Sequence, residues 1–259
     1  MHVRELFDLT GRAALVTGGG SGIGLQAAEA LAELGADVVL CARRPERCEE
    51  AAADLAARLG VRALGVRCDV ADEAEVDAVV ARTVAELGRL DVVVSSAGRS
   101  WGAPAIDHPA DAFRNVVDVN LTGLFLVARA SARVMIEQGR GGRIVNVAST
   151  AAFGGKRAEV MDAVAYTASK GGVVSLTRDL AVKWARYGIT VNALAPGWFP
   201  SDLSQAVLDR HEAELLGDIP LGRFGGDDDL KGAIALLASD ASAFLTGQVL
   251  VVDGGETAQ

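Results

Sequence analysis

Tyr166 and Lys170 stand four positions apart in the stretch Tyr166-Thr167-Ala168-Ser169-Lys170. On a helix that spacing puts a phenol and an ammonium on one face, about one turn apart. A tyrosine ordinarily keeps its proton up to about pH 10, too tightly for acid–base work near neutrality. A fixed cation beside it favours the phenolate and draws that value toward the working range. Alone, such a pair is as readily two residues on a solvated helix face. It gains meaning from the glycine cluster Thr17-Gly18-Gly19-Gly20-Ser21-Gly22-Ile23-Gly24. Glycines there permit a tight turn and let backbone N–H groups approach a phosphate closely. Gly22-Ile23-Gly24-Leu25-Gln26-Ala27 meets the loose G-x-G-x-x-A form of a dinucleotide turn. Gly18, Gly20, Ser21, Gly22, Ile23 and Gly24 are therefore expected to hold a pyrophosphate.

Other residues gain weight beside these two motifs. Ser149 follows the apolar run Arg143–Ala148, at the carboxyl end of an expected strand, where parallel sheets bind ligands. Its hydroxyl could hold a carbonyl beside Tyr166, and the adjacent Thr150 could do the same. Asn120 interrupts an apolar helix, and a buried amide must find partners, so it is a structural clamp or part of a proton path. The second expected strand runs into Ala42-Arg43-Arg44 without the carboxylate that would bind a ribose 2′-hydroxyl. A guanidinium there pairs instead with a 2′-phosphate, so Arg43 points to NADP(H), with NAD(H) as the alternative. Asp69 ends the third strand and either caps an adenine edge or simply begins a turn.

These groups need a scaffold, and the chain describes one. Short β-branched runs alternate with Ala/Leu/Glu-rich helical stretches from end to end. Strands are expected at 13–17, 37–41, 62–68, 91–95, 143–148, 190–194 and 249–252. Helices are expected at 23–34, 45–59, 72–87, 111–137, 163–187 and 228–238. Runs that are apolar throughout suit a parallel sheet buried on both faces. The expectation is an α/β fold: one doubly wound domain over 1–259, with a seven-stranded parallel sheet. Residues 198–226 are irregular and carry Trp198, Phe199 and Pro200, and such a connection after a strand reads as a lid. Within it, Ser201–Gly217 shows the apolar stripe of a mobile helix.

Composition narrows the partners. The 259 residues are 50% hydrophobic with a formal net charge of −9, which argues against nucleic acid and anionic membrane. No apolar run approaches the ~20 residues of a membrane span. Cys41, Cys48 and Cys68 match no metal spacing, so free thiols in a reducing cytoplasm are expected.

Taken together, the motifs resemble the compact type of the short-chain dehydrogenase/reductase family over nearly the whole chain. The resemblance rests on Thr17-Gly18…Gly22-x-Gly24, Asp69-Val70, Ala97-Gly98, Asn120, Ser149, Tyr166-x-x-x-Lys170, Asn192, Pro196-Gly197 and Thr246-Gly247-Gln248…Asp253-Gly254-Gly255. It implies a Rossmann-type fold and an oxidoreductase. It makes Tyr166 the acid/base and Lys170 the group that lowers its pKa and holds the nicotinamide ribose. It makes Ser149 the carbonyl-orienting group and Asn120 the support of a water relay to Lys170. Val70, Ala97, Gly98, Pro196 and Gly197 join the cofactor site, and Ser201 stands where a threonine commonly meets the carboxamide. It also implies a homotetramer.

Two departures stand out. Ser95-Ser96-Ala97-Gly98 replaces the family's Asn-Asn-Ala-Gly, and Ser149 precedes Tyr166 by 17 positions, leaving a longer loop at 155–162. The chain further resembles 5-keto-gluconate reductases and, nearly as well, 3-oxoacyl carrier-protein reductases. The first implies a small polar ketone or secondary alcohol, with Arg99, Lys156 or Arg157 facing an acid. The second would use Trp101, Phe153, Trp198 and Phe199 as an apolar wall. A non-catalytic dinucleotide-binding scaffold is the distant alternative.

Overall fold

The computed structural model describes residues 2–259. Seven parallel strands form one sheet in the order β3-β2-β1-β4-β5-β6-β7. They are β1 (Ala13–Thr17), β2 (Asp37–Ala42), β3 (Ala63–Arg67), β4 (Val92–Ser95), β5 (Gly142–Val147), β6 (Ile189–Pro196) and β7 (Val249–Val252). The connecting helices are α1 (Gly22–Glu33), α2 (Glu46–Leu59), α3 (Glu73–Leu87), α4 (Ala110–Val117), α5 (Leu124–Gln138), α6 (Val164–Trp184), α7 (Gln205–Gly217) and α8 (Lys231–Ala238).

Successive strand side chains point to opposite faces, and both faces here are covered. Val16, Val38, Leu40, Val94 and Val145 pack on the side of α1, α2 and α8. Leu15, Val39, Val93, Ile144 and Val191 pack on the side of α3, α5 and α6. That two-sided burial is why the strands read as unbroken apolar runs.

Local signals end the helices where they should. Asp72 caps α3, its Oδ1 accepting from the amides of Ala74 and Glu75 at 2.9 and 3.1 Å. Left-handed Gly60, Gly88 and Gly139 stop α2, α3 and α5.

Three features differ from the sequence expectation. The helix expected over 111–137 is broken at Asp118–Gly123 by a π turn that puts Asn120 at its centre. Periodicity does not register one extra residue in a turn, which is what a π bulge inserts. β6 runs two residues further, to Pro196, and α7 is kinked at His211. Residues 110–138 also carry an 18-residue window of mean hydropathy 1.3, enough by length and composition to cross a membrane, and 56% of that window is buried inside this fold. Val127, Ala128 and Met135 use that hydropathy against the sheet.

At the amino ends of the strands a buried carboxylate sets the stagger. Asp91 Oδ2 accepts from the Ala13 amide at 2.9 Å, and the Arg89 guanidinium grips both oxygens at 2.6 Å. The Asp91 backbone bonds Ala13 and Arg143, linking β1, β4 and β5. Asp91→Ala is expected to lower stability by about 2 kcal/mol, the loss of charge-assisted bonds tempered by rehydration of a partly exposed Arg89. Urea unfolding checks this through a lower midpoint at an unchanged slope.

Candidate active site

Strand order reverses at β1, which has β2 on one side and β4 on the other. Connections leave those two neighbours in opposite directions, so a crevice opens over the carboxyl ends. A cavity of about 640 Å³ fills it.

The glycine turn forms one wall. Gly18 has a φ of +67°, and its amide donates to the Cys41 carbonyl at 2.7 Å. A Cβ on Gly24 would lie 2.1 Å from the Gly18 carbonyl oxygen, so the start of α1 can fold back onto β1 only without a side chain. Thr17 Oγ1 accepts from the amides of Ser96 and Ala97 at 3.2 and 3.1 Å, tying this turn to the end of β4. The loop is thus held through its backbone, which explains how serines can stand where the family has asparagines.

Tyr166 and Lys170 lie one turn apart on α6, with Lys170 Nζ 5.6 Å from the phenol ring centre. Nζ donates to the Val147 carbonyl at 2.7 Å at the end of β5. Only 4% of Lys170 is exposed, and that burial pushes its ammonium down to about 8. Burial also raises the Tyr166 phenol above its ordinary value, opposed by a hydrogen bond with the Ser149 hydroxyl. The downward pull expected of Lys170 is not among the influences on Tyr166 in the free chain, where desolvation is the largest.

Ser149 has an extended backbone, and its Oγ accepts from the Ala151 amide at 3.2 Å. Ser149 lines the cavity, whereas Thr150 is buried behind it. Asn120 is fully buried and does not line the cavity. Its Oδ1 accepts from the Arg99 amide at 2.8 Å, while Nδ2 donates to the Arg99 carbonyl at 2.9 Å and to Ser169 Oγ at 3.0 Å. Its side chain is a clamp between the loop after β4 and helix α6.

The cavity brings together Gly18, Gly20, Ser21, Gly22, Ile23, Gly24, Arg43, Gly98, Ser149, Tyr166, Lys170, Pro196, Gly197 and Ser201. Asp69, Val70 and Ala97 lie outside its lining. Asp69 accepts from the Ala71 amide at 3.1 Å as a turn residue, and Val70 is core. Sequence reasoning missed Glu46 and Arg47, which line the β2 end of the cavity from the first turn of α2, and Asp202, which pairs with Arg47 at 2.5 Å. Proximity of Arg47 was visible only as a position two residues into a helix, with nothing to say which way it faces.

The longer loop after Ser149 folds against neighbours. Val160 packs with Leu208 and Leu215 of α7, Lys156 pairs with Glu256, and Arg157 pairs with Glu214. The three cysteines are free and buried, and no cluster of His, Cys, Asp or Glu among the described residues could hold a metal ion.

Comparisons with known proteins agree with this geometry. A family model described as enoyl-(acyl carrier protein) reductase matches residues 18–257. A short-chain type dehydrogenase/reductase from Mycobacterium marinum superposes with a TM-score of 0.95 and 38% identity, covering 100% of both chains. A gluconate 5-dehydrogenase from Burkholderia cenocepacia J2315, crystallised with NADP and tartrate, gives 0.93 and 40%, again over 100% of each. D-threitol dehydrogenase of Mycolicibacterium smegmatis (strain ATCC 700084 / mc(2)155) is 40% identical over 252 residues, 97% of this chain and 95% of its own length. Likeness at this level of identity, over the whole length, reflects common descent, and this chain belongs to the short-chain dehydrogenase/reductase family.

Proposed function

We propose that the protein exchanges a hydride between NADP(H) and a small polar ketone or its secondary alcohol. The observation that carries this reading is the group of half-buried Ser149 and Tyr166 beside buried Lys170, opening into the same cavity as the glycine turn. The cofactor fits the residues present: a Cβ on Gly18 would come 3.0 Å from the Ala97 backbone and one on Gly24 2.1 Å from the Gly18 carbonyl oxygen, so only glycines allow the tight turn that lines the cavity where a pyrophosphate would lie. At the end of β2, Arg43 and Arg44 are exposed and pair with no carboxylate among the described residues. They outnumber Glu46 at that end, which favours a 2′-phosphate over a free ribose hydroxyl. NAD(H) is the weaker alternative.

When bound, nicotinamide supplies or accepts the hydride. Ser149 holds the substrate oxygen and Tyr166 gives that oxygen its proton on reduction, or takes it on oxidation. Lys170, held by the Val147 carbonyl, stabilises the phenolate that remains. Asn120 fixes the loop after β4 against α6, and so positions the group. Pro196, Gly197 and Ser201 form the wall beyond β6.

A polar substrate is favoured over an acyl thioester because Trp101, Phe153, Trp198 and Phe199 do not line the cavity. Phe199 is core, packed where a Cβ on Gly225 would come within 2.2 Å of its ring. The gluconate and threitol activities of the relatives support the same class.

Within residues 198–226, α7 serves as a lid and moves together with the 155–162 loop through the Val160 contact, while Phe199 anchors the segment in the core. A homotetramer in the cytoplasm completes the reading. Its support is the single-sided β7 edge, half-buried in one chain, and the exposure of Phe244 and Val182. Hydrogen exchange with and without NADPH reads the lid, and light scattering the assembly.

Tyr166→Phe is expected to lower kcat by ~10²–10⁴ with NADPH binding retained, as steady-state kinetics and a fluorescence titration would show. Ala42→Asp with Arg43→Ala should turn the preference from NADPH to NADH, and tighter NADH binding by the unmodified protein would contradict the assignment. Lys170→Met tests the burial of the ammonium. The unfolded chain holds that proton up to the ordinary value of 10.5, the folded chain only to about 8. Folded wild type is therefore penalised below that window, and its stability rises with pH across it. The variant should gain in Tm over wild type near pH 7, by an amount that shrinks near pH 10, while turnover is lost. Thermal unfolding at the two pH values checks the sign.

A further inference from the structure

Three cations could have met an acidic substrate: Arg99, Lys156 and Arg157. The fold neutralises two of them. Lys156 is paired with Glu256, whose side chain is 7% exposed, and lies over the Trp198 ring at 6.0 Å. Arg157 is paired with Glu214 and has Asp218 at 3.9 Å. Neither lines the cavity.

Arg99 does line it, half-buried, and its guanidinium has no carboxylate within 4 Å among the described residues. Its backbone is held on both sides by the Asn120 amide. The preceding Gly98 is beside the Tyr166–Lys170 group: a Cβ there would lie 3.9 Å from Lys170 Nζ and 3.5 Å from Asn120 Oδ1. Arg99 follows β4, and β5, the strand that delivers Ser149, is its hydrogen-bonded neighbour about 4.8 Å away. A partly desolvated guanidinium without an internal partner is left to be satisfied from the cavity, and its planar fork matches a carboxylate with two parallel bonds.

We propose that Arg99 is the specificity-determining residue of the substrate site, gripping the carboxylate of a hydroxy-keto acid whose carbonyl rests on Ser149 and Tyr166. This deepens the carbonyl-reductase reading and rests on it. The wall after β4 also faces the pyrophosphate turn after β1, so an anion held by Arg99 could instead be a phosphate of the cofactor. The experiment separates the two.

Reduction of 5-keto-D-gluconate is compared with that of D-fructose, an uncharged ketose of similar size, in wild type, Arg99→Ala and Arg99→Lys, with NADPH affinity measured by fluorescence for each. In wild type the acid should have the lower KM. Arg99→Ala should raise the KM for the acid by ~10–100-fold, bringing the ratio of the two KM values toward unity, as loss of a charge-assisted contact predicts. Arg99→Lys should recover part of the ratio, since it keeps the charge but not the fork. NADPH affinity should not follow the same trend. A ratio unchanged by Arg99→Ala, or a KM rise matched by an equal loss of NADPH affinity, overturns the proposal while leaving carbonyl reduction standing. If neither ketone is reduced, the carbonyl-reductase reading is what fails. Calorimetric binding of D-gluconate against D-glucitol to the NADP⁺-bound protein then decides Arg99 directly, equal affinities in wild type and Arg99→Ala overturning it.

Discussion

The arrangement depends on one topological constraint at β1: the connection that follows it and the one that follows its neighbour β4 run in opposite directions. β2 lies on one side of it and β4 on the other, so no connection crosses the gap above their carboxyl ends. Everything chemical in the molecule gathers on the rim of that gap. The glycine turn comes from β1, Arg43 from β2, the Gly98-Arg99 segment from β4, Ser149 from β5 and the Pro196-Gly197 corner from β6. Helix α6 crosses behind them and delivers Tyr166 and Lys170 between β5 and the β4 loop. Parallel strands make this possible because all their carboxyl ends lie on one edge.

Holding a protonatable amine in that setting opposes folding. Lys170 has one carbonyl partner and almost no water, and its ammonium is correspondingly less basic. Among the described residues, further buried polar atoms lack partners, including Ser95 Oγ at the end of β4 and Asn146 Oδ1 near the end of β5. Two-sided apolar burial of the sheet offsets these penalties, at a central tendency of ~25 cal/mol per Å² of apolar surface. The stable part of the molecule thus carries a site that would not be stable alone. A bound cofactor adds partners that the free chain does not have.

The charged loops around the mouth obey a different logic. Lys156, Arg157 and Arg47 each find a carboxylate from a distant part of the chain, respectively Glu256, Glu214 and Asp202. The last of these pairs is exposed on both sides, so it is worth little in free energy and can exchange partners easily. Such pairs shape the mouth by removing positive charge from it. Arg99, left out of this pairing, is what keeps the cavity cationic on the β4 side.

Much of this was legible in the amino acids themselves. Strand positions followed from two-sided apolar runs, helix starts and stops from residues such as Asp72 and Gly88, and the placing of Tyr166 beside Lys170 from a one-turn spacing on a helix. These are local properties, written within a few residues of where they act. Three matters were not local. The π turn at Asn120 shifts the register by one residue, a change that an apolar helix does not betray, and it decides that this amide clamps the Arg99 backbone. Asp69 and Val70 carry a family pattern at the end of the edge strand β3, but their surroundings, a turn amide for one and the apolar core for the other, are set by the packing of the sheet. The pKa of Tyr166 depends on how much water its surroundings exclude, which spacing from Lys170 does not tell. Sequence by itself determined the strands, the glycine turn and the residue types able to do the chemistry, because backbone preference and burial periodicity act over short distances. Tertiary structure alone decided which cations remain free and which polar groups are dry, because those depend on partners brought together from distant parts of the chain, such as Arg47 and Asp202, 155 residues apart.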